Sequence, residues 1–356
     1  MPQSLSQFHR ETSMDKDRRR ITVELLDETL ANGEKMAPED LLISYEGVLY
    51  PATLCSPENF KALQSFEARN DDIILAGYPK TGTNWLDQIL NDLETTAGKY
   101  TEEEINSRNS IEQEIPIPLR LEFGDAKQFQ GWRNSRTPSV IQEVLPRAFF
   151  LSLLQMMKKL LFSFRRITTT HILPQILPQS IFKSKAKILL LLRNPKDTAV
   201  SYFHFYNDMP LLQSFNTWDE YFTAFMNGQL TWGSYFDYLI EWNKYIADDN
   251  VMVITYEEMK ENQTLGMKKI AEFLGFSLSD DEIRTIAEKS TFKAMKEKSS
   301  ETHGMFGKIL FRKGIVGGWR ELFTEAQSKE MDRKFEECLG GTKIGEKIKY
   351  GIYCKA

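Results

Sequence analysis

The stretch KILLLLRNPKDTAVSYFHFYND, residues 187–208, decides the fold. Positions 188–192 are all apolar, and a helical pattern follows them at once. A strand that is apolar on both faces is typical of a parallel sheet that is covered on both sides. Residues 73–90 and 251–276 repeat the order of short apolar strand, loop and helix. The sequence therefore predicts an α/β fold, a three-layer sandwich with a central parallel sheet and a P-loop-like strand–loop–helix.

The residues that follow the predicted strands indicate where a ligand binds. The loop 77–85 follows the first of these strands, Arg193 follows the second, and Tyr256 stands at the end of the third. Ligands of open α/β sheets bind beyond the carboxyl ends of the strands. We therefore expect these three elements to line one site.

The loop 77–85, GYPKTGTNW, differs from a nucleotide-binding loop in one respect. Gly77 and Gly82 have the G-x-x-x-x-G spacing, but the lysine lies inside the loop at Lys80 and not directly after the second glycine. Backbone N–H groups of such a turn can hold an anion. A P-loop kinase would also need an acidic residue to hold Mg²⁺, whereas the clearest strand ends in Arg193. The pattern favours an anionic ligand that side chains neutralise without a metal.

The composition is that of an ordinary globular protein and argues against several partners. The chain has 356 residues, a net charge of −5 and 3 cysteines without a C-x-x-C spacing. The negative charge argues against general attraction to nucleic acid or anionic membranes, and scattered thiols favour a reducing compartment. Residues 1–20 lack the apolar core of a signal peptide, and the longest apolar run, 148–157, is too short to span a bilayer. We predict a cytoplasmic protein without a nucleic acid or membrane partner.

One large domain is predicted to follow a mobile N-terminal arm. Residues 1–40 are rich in charge and contain one helical pattern, 21–35. Residues 41–54 are predicted to form two short strands around the turn at Glu46 and Gly47. The sequence shows no internal repeat, so we assign residues 41–356 to a single domain.

Four stretches resemble the signature elements of the cytosolic sulfotransferases, which transfer a sulfonate from 3′-phosphoadenosine 5′-phosphosulfate (PAPS). YPKTGTNW (78–85) is similar to the loop that binds the 5′-phosphosulfate, and STFKAM (290–295) to the segment that holds the adenine. RNPKDTAVSYFHF (193–205) and FRKGIVGGW (311–319) are similar to the elements on the 3′-phosphate. The resemblance is strongest in the C-terminal half, to the subfamily labelled 6B. It implies these cofactor-binding residues: Lys80, Thr81, Gly82, Thr83, Asn84, Trp85, Arg193, Ser201, Tyr256, Ser290, Thr291, Phe292, Met295, Arg312, Lys313 and Gly314.

The same resemblance implies a reaction with His171 as general base. His171, in RRITTTHILP (165–174), aligns with the catalytic histidine of the family pattern K-T-H-x-P. An imidazole with a pKa of about 6.5 can take the proton of an alcohol or phenol near neutral pH. Lys80 would stabilise the leaving side, and Ser201 would hold Lys80 when no acceptor is bound. The remaining histidines are interpreted as packing, surface or loop residues: His9, His204 and His303.

The implied function is metal-independent transfer of a sulfonate to a hydroxyl or amine of a small lipophilic acceptor. Phenols, steroids, iodothyronines and amines all stay open as acceptors. A homodimer also stays open, because segment 320–329 departs from the family's dimer pattern. In that segment Arg320 and Thr324 fit the pattern, whereas Glu325 and Lys329 do not.

Three positions near the site depart from the family pattern. Thr169 stands where the family usually has a lysine, two residues before the histidine, so one cationic contact to the transferring sulfonate is lost. Residues 172–174, ILP, replace a shorter LP and would shift the wall of the acceptor pocket. Gly318 replaces an aspartate, at a position outside the chemistry.

Residues 131–155 are an atypical insert between the acceptor region and His171. Two interpretations stay open, a lid over the acceptor pocket or an artefact of the gene model. The artefact is favoured because Trp132, Phe149 and Phe150 have no obvious core to join. Together with Thr169, the insert supports an alternative function, a catalytically impaired protein that binds PAPS or its product, 3′-phosphoadenosine 5′-phosphate (PAP).

Overall fold

A parallel sheet of four strands forms the centre of the molecule. The computed structural model describes residues 23–24, 26–101, 104, 120–123 and 165–355. Within these residues the sheet has the order β4-β3-β5-β6, and β1 and β2 form a separate antiparallel hairpin. The predicted central parallel sheet is confirmed. The strands are β1 (Leu42–Tyr45), β2 (Val48–Pro51), β3 (Ile73–Ala76), β4 (Ile167–Thr170), β5 (Lys187–Leu192) and β6 (Val251–Thr255).

Helices follow the strands, as the sequence predicts. Residues 26–33 are helical and are called the N-terminal helical segment here. Short 3₁₀ helices span Pro38–Asp40 and Gly318–Glu321. The other described helices are α1 (Pro57–Leu63), α2 (Thr83–Gly98), α3 (Gln179–Lys183), α4 (Pro195–Asp208), α5 (Trp218–Met226), α6 (Tyr235–Trp242), α7 (Tyr256–Glu261), α8 (Gln263–Leu274), α9 (Asp280–Lys289), α10 (Phe292–His303), α11 (Phe306–Leu310), α12 (Glu325–Leu339), α13 (Lys343–Ile348) and α14 (Tyr350–Tyr353).

The sheet separates two apolar cores, which gives the three-layer architecture. Successive side chains of a strand point to opposite faces. In β5, Ile188 and Leu190 therefore belong to one core, which α4, α5, α6 and α12 cover. Leu189 and Leu191 belong to the other core, which α2, α8 and α9 cover. Burial on both faces explains why β5 is apolar throughout.

The strand register brings four chain segments to one edge of the sheet. Ala76, the last residue of β3, pairs with Thr170 of β4 and Leu190 of β5. Leu192 of β5 pairs in turn with Thr255 of β6. Since all pairings are parallel, the chain leaves every strand at the same edge. The next residues there are Gly77, His171, Arg193 and Tyr256.

Part of the predicted N-terminal arm packs on the domain. Leu30 of the N-terminal helical segment is buried in the core. Asp27 accepts a hydrogen bond from the backbone N–H of Met305, with 3.0 Å between Oδ1 and N. Residues 26–33 lie within the helical pattern predicted at 21–35, and they contact the domain through these two residues; the mobility of the arm stays a prediction. Residues 1–22 and 25 of the predicted arm lie outside the described residues, as does the insert 131–155.

Two further predictions concern the segment 320–329 and membrane-spanning helices. In segment 320–329, Thr324 caps α12, and Lys329 pairs with Glu325 at 2.6 Å between Nζ and Oε1. Both members of that ion pair are exposed, and the homodimer stays a prediction. Within the described ranges, none of the helices is long and apolar enough to cross a membrane.

Candidate active site

A cavity of about 310 Å³ lies at the edge of the sheet where the four segments meet. Among the predicted site residues, Thr81, Ser290 and Thr291 do not line it. The others do: Lys80, Gly82, Thr83, Asn84, Trp85, His171, Arg193, Ser201, Tyr256, Phe292, Met295, Arg312, Lys313 and Gly314.

The loop after β3 turns sharply into α2. Gly82 has a φ of 107°, which L residues with a side chain rarely adopt. A Cβ at this position would also stand 2.8 Å from Cδ2 of Tyr256. Thr81 is buried, and its hydroxyl donates to the carbonyl of Tyr78 at 2.7 Å. Thr81 therefore stabilises the turn from inside and leaves the cavity face to its neighbours.

Lys80 is held over an aromatic ring at the cavity wall. Its Nζ lies 4.3 Å from the centroid of the Phe205 ring. Ser201 also lines the cavity, but among the described residues Lys80 forms no hydrogen bond with it. Desolvation and the positive charges of Arg193 and Arg120 lower the pKa of Lys80 to about 7. An anion bound beside Lys80 would therefore raise this pKa again.

Arg193 connects the loops that follow β3 and α11. Its Nη1 donates to the carbonyl of Lys80 at 3.0 Å, and its Nη2 to the carbonyl of Ile315 at 3.1 Å. Its guanidinium lies 4.4 Å from the centroid of the Tyr256 ring. Nε is buried and has no partner among the described residues. This donor stays available at the cavity.

Asp197 holds the segment 311–319 against α4. Its Oδ2 accepts from the backbone N–H of Gly317 at 2.7 Å, and its Oδ1 from that of Trp319 at 3.0 Å. This places Arg312 and Lys313 at the cavity, where Lys313 pairs with Glu321. The two stretches that resemble the 3′-phosphate elements are thus adjacent in space.

Aromatic side chains line the cavity beside these cations. The rings of Trp85 and Tyr256 meet edge to face at 5.5 Å, and the ring of Phe292 lies against Gly314, where a Cβ would collide with it. Ser290 is buried, and its carbonyl accepts from Nε1 of Trp85 at 2.7 Å. Thr291 caps α10. Ser290 and Thr291 therefore position the aromatic residues and do not face the cavity.

His171 is fixed on two sides at the end of β4. Its Nδ1 lies 2.5 Å from the carbonyl oxygen of Gly77. Its backbone N–H donates to Oε1 of Glu122 at 2.9 Å, and the hydroxyl of Thr170 donates to Oε2 of the same carboxylate at 2.9 Å. The ring of Trp232 packs edge-on against the imidazole at 5.5 Å.

This environment makes His171 a neutral base. A carbonyl only accepts, so Nδ1 carries the proton and the lone pair lies on Nε2. Burial, together with the charge of Arg120, lowers the pKa of His171 well below 6.5. The imidazole is therefore unprotonated at neutral pH and can accept a proton at Nε2.

Several lining residues escape the sequence analysis. Arg120 and Asp87 line the cavity together with His171, although the sequence analysis gives neither a role: Arg120 lies outside the predicted elements, and Asp87 lies within the predicted unit 73–90. His204 and His303 also line it, which corrects their interpretation as packing and loop residues. Asp87 stands four positions after Thr83 on α2, and this spacing is the one signal that the sequence offers. The position of Arg120 depends on tertiary contacts alone.

The cavity is strongly positive although the chain as a whole is negative. Its described lining contains six cationic side chains and two carboxylates. Such a local excess attracts an anion independently of the net charge. The cations are Lys80, Arg120, Arg193, Lys260, Arg312 and Lys313, and the carboxylates are Asp87 and Asp197. The described residues contain no cluster of three or more His, Cys, Asp or Glu side chains suited to a metal ion.

The comparison with protein families agrees with this geometry. The family model of the sulfotransferase domain matches residues 70–343. This range includes all four strands of the central sheet and the segments 290–295 and 311–319. The chain belongs to the sulfotransferase family. It is therefore a sulfotransferase enzyme, as the resemblance of its motifs implies.

Relatives of this sulfotransferase match nearly its whole length. Mouse Sulfotransferase 6B1 is 46% identical over 94% of this chain and 98% of its own, and human Sulfotransferase 6B1 is 45% identical over 94% and 97%. The crystal structure of mouse sulfotransferase SULT7A1 complexed with PAP is similar, with a TM-score of 0.67 and 31% identity over 87% of this chain and 99% of that one. A structure of retinol dehydratase, at 23% identity and a TM-score of 0.60 over 94% and 96%, shares the fold.

Proposed function

We propose that this sulfotransferase uses PAPS as co-substrate and transfers its sulfonate to a hydroxyl or amine of a small lipophilic acceptor in the cytoplasm. One observation carries the proposal. The four parallel strand ends bring the loop 77–85, Arg193 and His171 to one cavity, with Arg312 and Lys313 at its rim. One cavity therefore contains both the cations that two anionic groups need and a neutral base.

The residues present fit the two ends of PAPS. Arg193 keeps an unpartnered buried Nε, and Arg312 and Lys313 lie beside it, which suits a doubly charged phosphate. The glycine turn at Gly82 opens α2 and leaves N–H groups for the phosphosulfate end. Trp85 and Phe292 would hold the adenine. The PAP bound in the SULT7A1 structure supports this assignment.

His171 would act as the general base toward the acceptor. PAPS, when bound, would supply a sulfonate whose bond to the phosphate oxygen breaks as a bond to the acceptor oxygen or nitrogen forms. Nε2 of His171 would take the acceptor's proton, because Nδ1 is already bonded to the carbonyl of Gly77. Glu122 would hold the backbone of His171 in place during this transfer.

Lys80 would stabilise the charge that develops on the leaving side. A preformed cation beside a developing negative charge lowers the barrier without reorganising water. Lys80 fits this role because burial destabilises its charge until an anion arrives. Ser201 would restrain the ammonium when no acceptor is bound, and its place on the same cavity wall supports that role.

The acceptor side of the cavity is apolar. A group of apolar lining side chains comes from the N-terminal helical segment, the chain after β2, residues 120–123, the chain after α4 and α11. Such a wall favours a lipophilic acceptor with one reactive hydroxyl or amine. These side chains are Leu26, Leu54, Phe123, Met209, Leu211, Leu212 and Phe306.

A turnover assay tests the proposal. Purified protein is incubated with PAPS and a panel of phenols, steroids, iodothyronines and amines, and the release of PAP is measured with and without each acceptor. We expect at least one acceptor to increase PAP release and to appear as its sulfate or sulfamate. If the protein binds PAP but no panel member increases PAP release, the impaired-binding alternative replaces this proposal. If it binds neither PAP nor PAPS, both are wrong.

A further inference from the structure

At the position where the family usually has a lysine, this chain has a neutral side chain. Thr169 is buried at the end of β4, and its Oγ1 donates to Oδ1 of Asp87 at 3.1 Å. Asp87 lies one turn after Asn84 on α2. A hydroxyl held on a carboxylate therefore occupies the space between β4 and α2.

A guanidinium lies next to this pair. The backbone N–H of Leu121 donates to the carbonyl of Thr169 at 2.9 Å, which fixes the preceding residue, Arg120, beside β4. Nη2 of Arg120 donates to Oδ1 of Asn84 at 2.7 Å and lies 3.5 Å from Oγ1 of Thr83. Arg120 thus connects β4 with the start of α2, the helix that follows the loop 77–85.

Within the part of the chain that the structure describes, Arg120 forms no salt bridge, although the charges of Glu122 and Asp87 act on its guanidinium. Its hydrogen-bond acceptors among the described residues, Asn84 and Thr83, are neutral oxygens. Its Nη1 is buried and has no partner in the described part of the chain. A buried donor without an acceptor is unfavourable, so an acceptor from a ligand is expected to use it. Arg120 lines the same cavity as His171 and Lys80, and its charge adds to desolvation in lowering the pKa of both.

We propose that Arg120 is a catalytic residue that donates through Nη1 to the transferring sulfonate and replaces the lysine that the family has at position 169. This inference rests on the proposed function, because it needs a sulfonate between the loop 77–85 and His171. The sulfonate passes from the phosphate oxygen to the acceptor, the electron pair of the broken bond stays with PAP, and the acceptor's proton goes to His171. A cation fixed between the two sides stays in contact with the sulfonate oxygens throughout.

The variant Arg120→Met separates this role from a structural one. Methionine keeps the length and apolar stem of the side chain but removes its charge and donors. PAP lacks the sulfonate, so we expect its affinity for the variant to match that of the wild type, whereas PAPS binds more weakly. With an acceptor, kcat should fall on the order of 100-fold, as for loss of one donor to a developing charge. Titration calorimetry with PAP and PAPS gives the first result, and steady-state kinetics the second.

A second variant tests whether Arg120 stands in for the lysine. We expect the double variant Arg120→Met/Thr169→Lys to regain at least part of the lost kcat, because it returns a cation to the family's position. Arg333→Met removes an exposed arginine from α12 and serves as the matched control. It should behave as the wild type in every assay.

Three results would overturn the inference. Arg120→Met with unchanged kcat, or with PAP binding weakened as much as PAPS binding, would show that Arg120 only supports the fold. A double variant without any recovery would show that Arg120 does not replace the lysine. A wild-type protein that binds neither PAP nor PAPS would instead disprove the proposed function, and the inference with it. This last outcome is recognised before any variant is made.

Discussion

The contacts that His171 makes with its neighbours, and not its position in the sequence, make it suited to act as a base. The carbonyl of Gly77 fixes the proton on Nδ1, and Glu122 fixes the backbone. Trp232 and the burial of the ring exclude water, which keeps the imidazole neutral. A residue with this combination can accept a proton without first losing one.

Replacing His171 should remove the chemistry and spare cofactor binding. We expect His171→Gln to lower kcat by about 10²–10⁴, the usual contribution of a general base. The Kd for PAP should stay unchanged, because the neutral imidazole contributes no charge to the cations that would bind the phosphates. Steady-state kinetics and titration calorimetry measure the two quantities. A variant with wild-type kcat would rule out His171 as the base.

The pKa of Lys80 predicts a pH dependence that differs between the free and the loaded enzyme. Desolvation, then Arg193, Arg120 and Arg312, lower it to about 7, and Asp208 opposes them. The protonated form is needed, so kcat/KM for PAPS, which reports the free enzyme, should fall as pH rises above about 7. The pKa of His171 lies below 6.5, so its protonation lowers kcat/KM only on the acid side of the profile. It does not affect the change that we expect above about pH 7.

The loaded enzyme provides the internal control for this prediction. The negative charge of bound PAPS raises the pKa of Lys80 again. At saturating PAPS, kcat should therefore stay constant to a higher pH than kcat/KM does. Lys80→Arg should move the alkaline limb of kcat/KM upward, since a guanidinium keeps its proton. A kcat/KM that stays flat from pH 7 to 9 in the wild type would contradict the assignment.

Among the structural elements, the loop 311–319 depends on one carboxylate for its place. Asp197 of α4 accepts from the backbone N–H groups of Gly317 and Trp319. Lys196, next to it, is fully buried and donates to Ser328 at 2.6 Å. Two adjacent residues thus tie the C-terminal part of the chain to the helix that follows Arg193.

Asp197→Asn should loosen this loop. One acceptor is replaced by a donor that faces an N–H group, so we expect the free energy of unfolding to fall by about 1–3 kcal/mol. PAP binding should weaken as well, because Arg312 and Lys313 lose their fixed positions. Denaturant unfolding and calorimetry measure both. The control Asp281→Asn changes an exposed residue of α9 and should alter stability by no more than about 0.5 kcal/mol. Equal behaviour of both variants would contradict the role of Asp197.

The sequence predicts the elements well and their mutual contacts less well. The strands β3, β5 and β6 and the helices after them follow from apolar runs and turn residues, which are local signals. Arg120 reaches the cavity because β4 lies beside β3 and the carbonyl of Thr169 accepts a hydrogen bond from the backbone N–H of Leu121. No periodicity encodes such a contact. Packing of the N-terminal helical segment through Leu30 escapes prediction for the same reason.

At the scale of the whole molecule, the site joins all four strands of the central sheet. A ligand that binds there contacts segments from both cores, so its binding energy should add to the stability of the complete fold. We expect PAP at about 100 times its Kd to stabilise the protein by about 2.7 kcal/mol, seen as a raised melting temperature in calorimetry. Adenosine, which lacks both anionic groups, is the control and should raise it little. Equal shifts for both ligands would contradict an anion-centred site.

The most direct test of the central claim is calorimetric titration of the purified chain with PAP. The claim is that the cations of one cavity bind the cofactor, and that His171 in the same cavity serves as the base and is not needed for this binding. We predict binding by the wild type, by His171→Ala and by the surface control Arg333→Met, and loss of binding by Arg193→Met and Arg312→Met. Thermal unfolding of each variant confirms that it is folded. A folded wild type without PAP binding, or equal binding by all the variants, would contradict the claim.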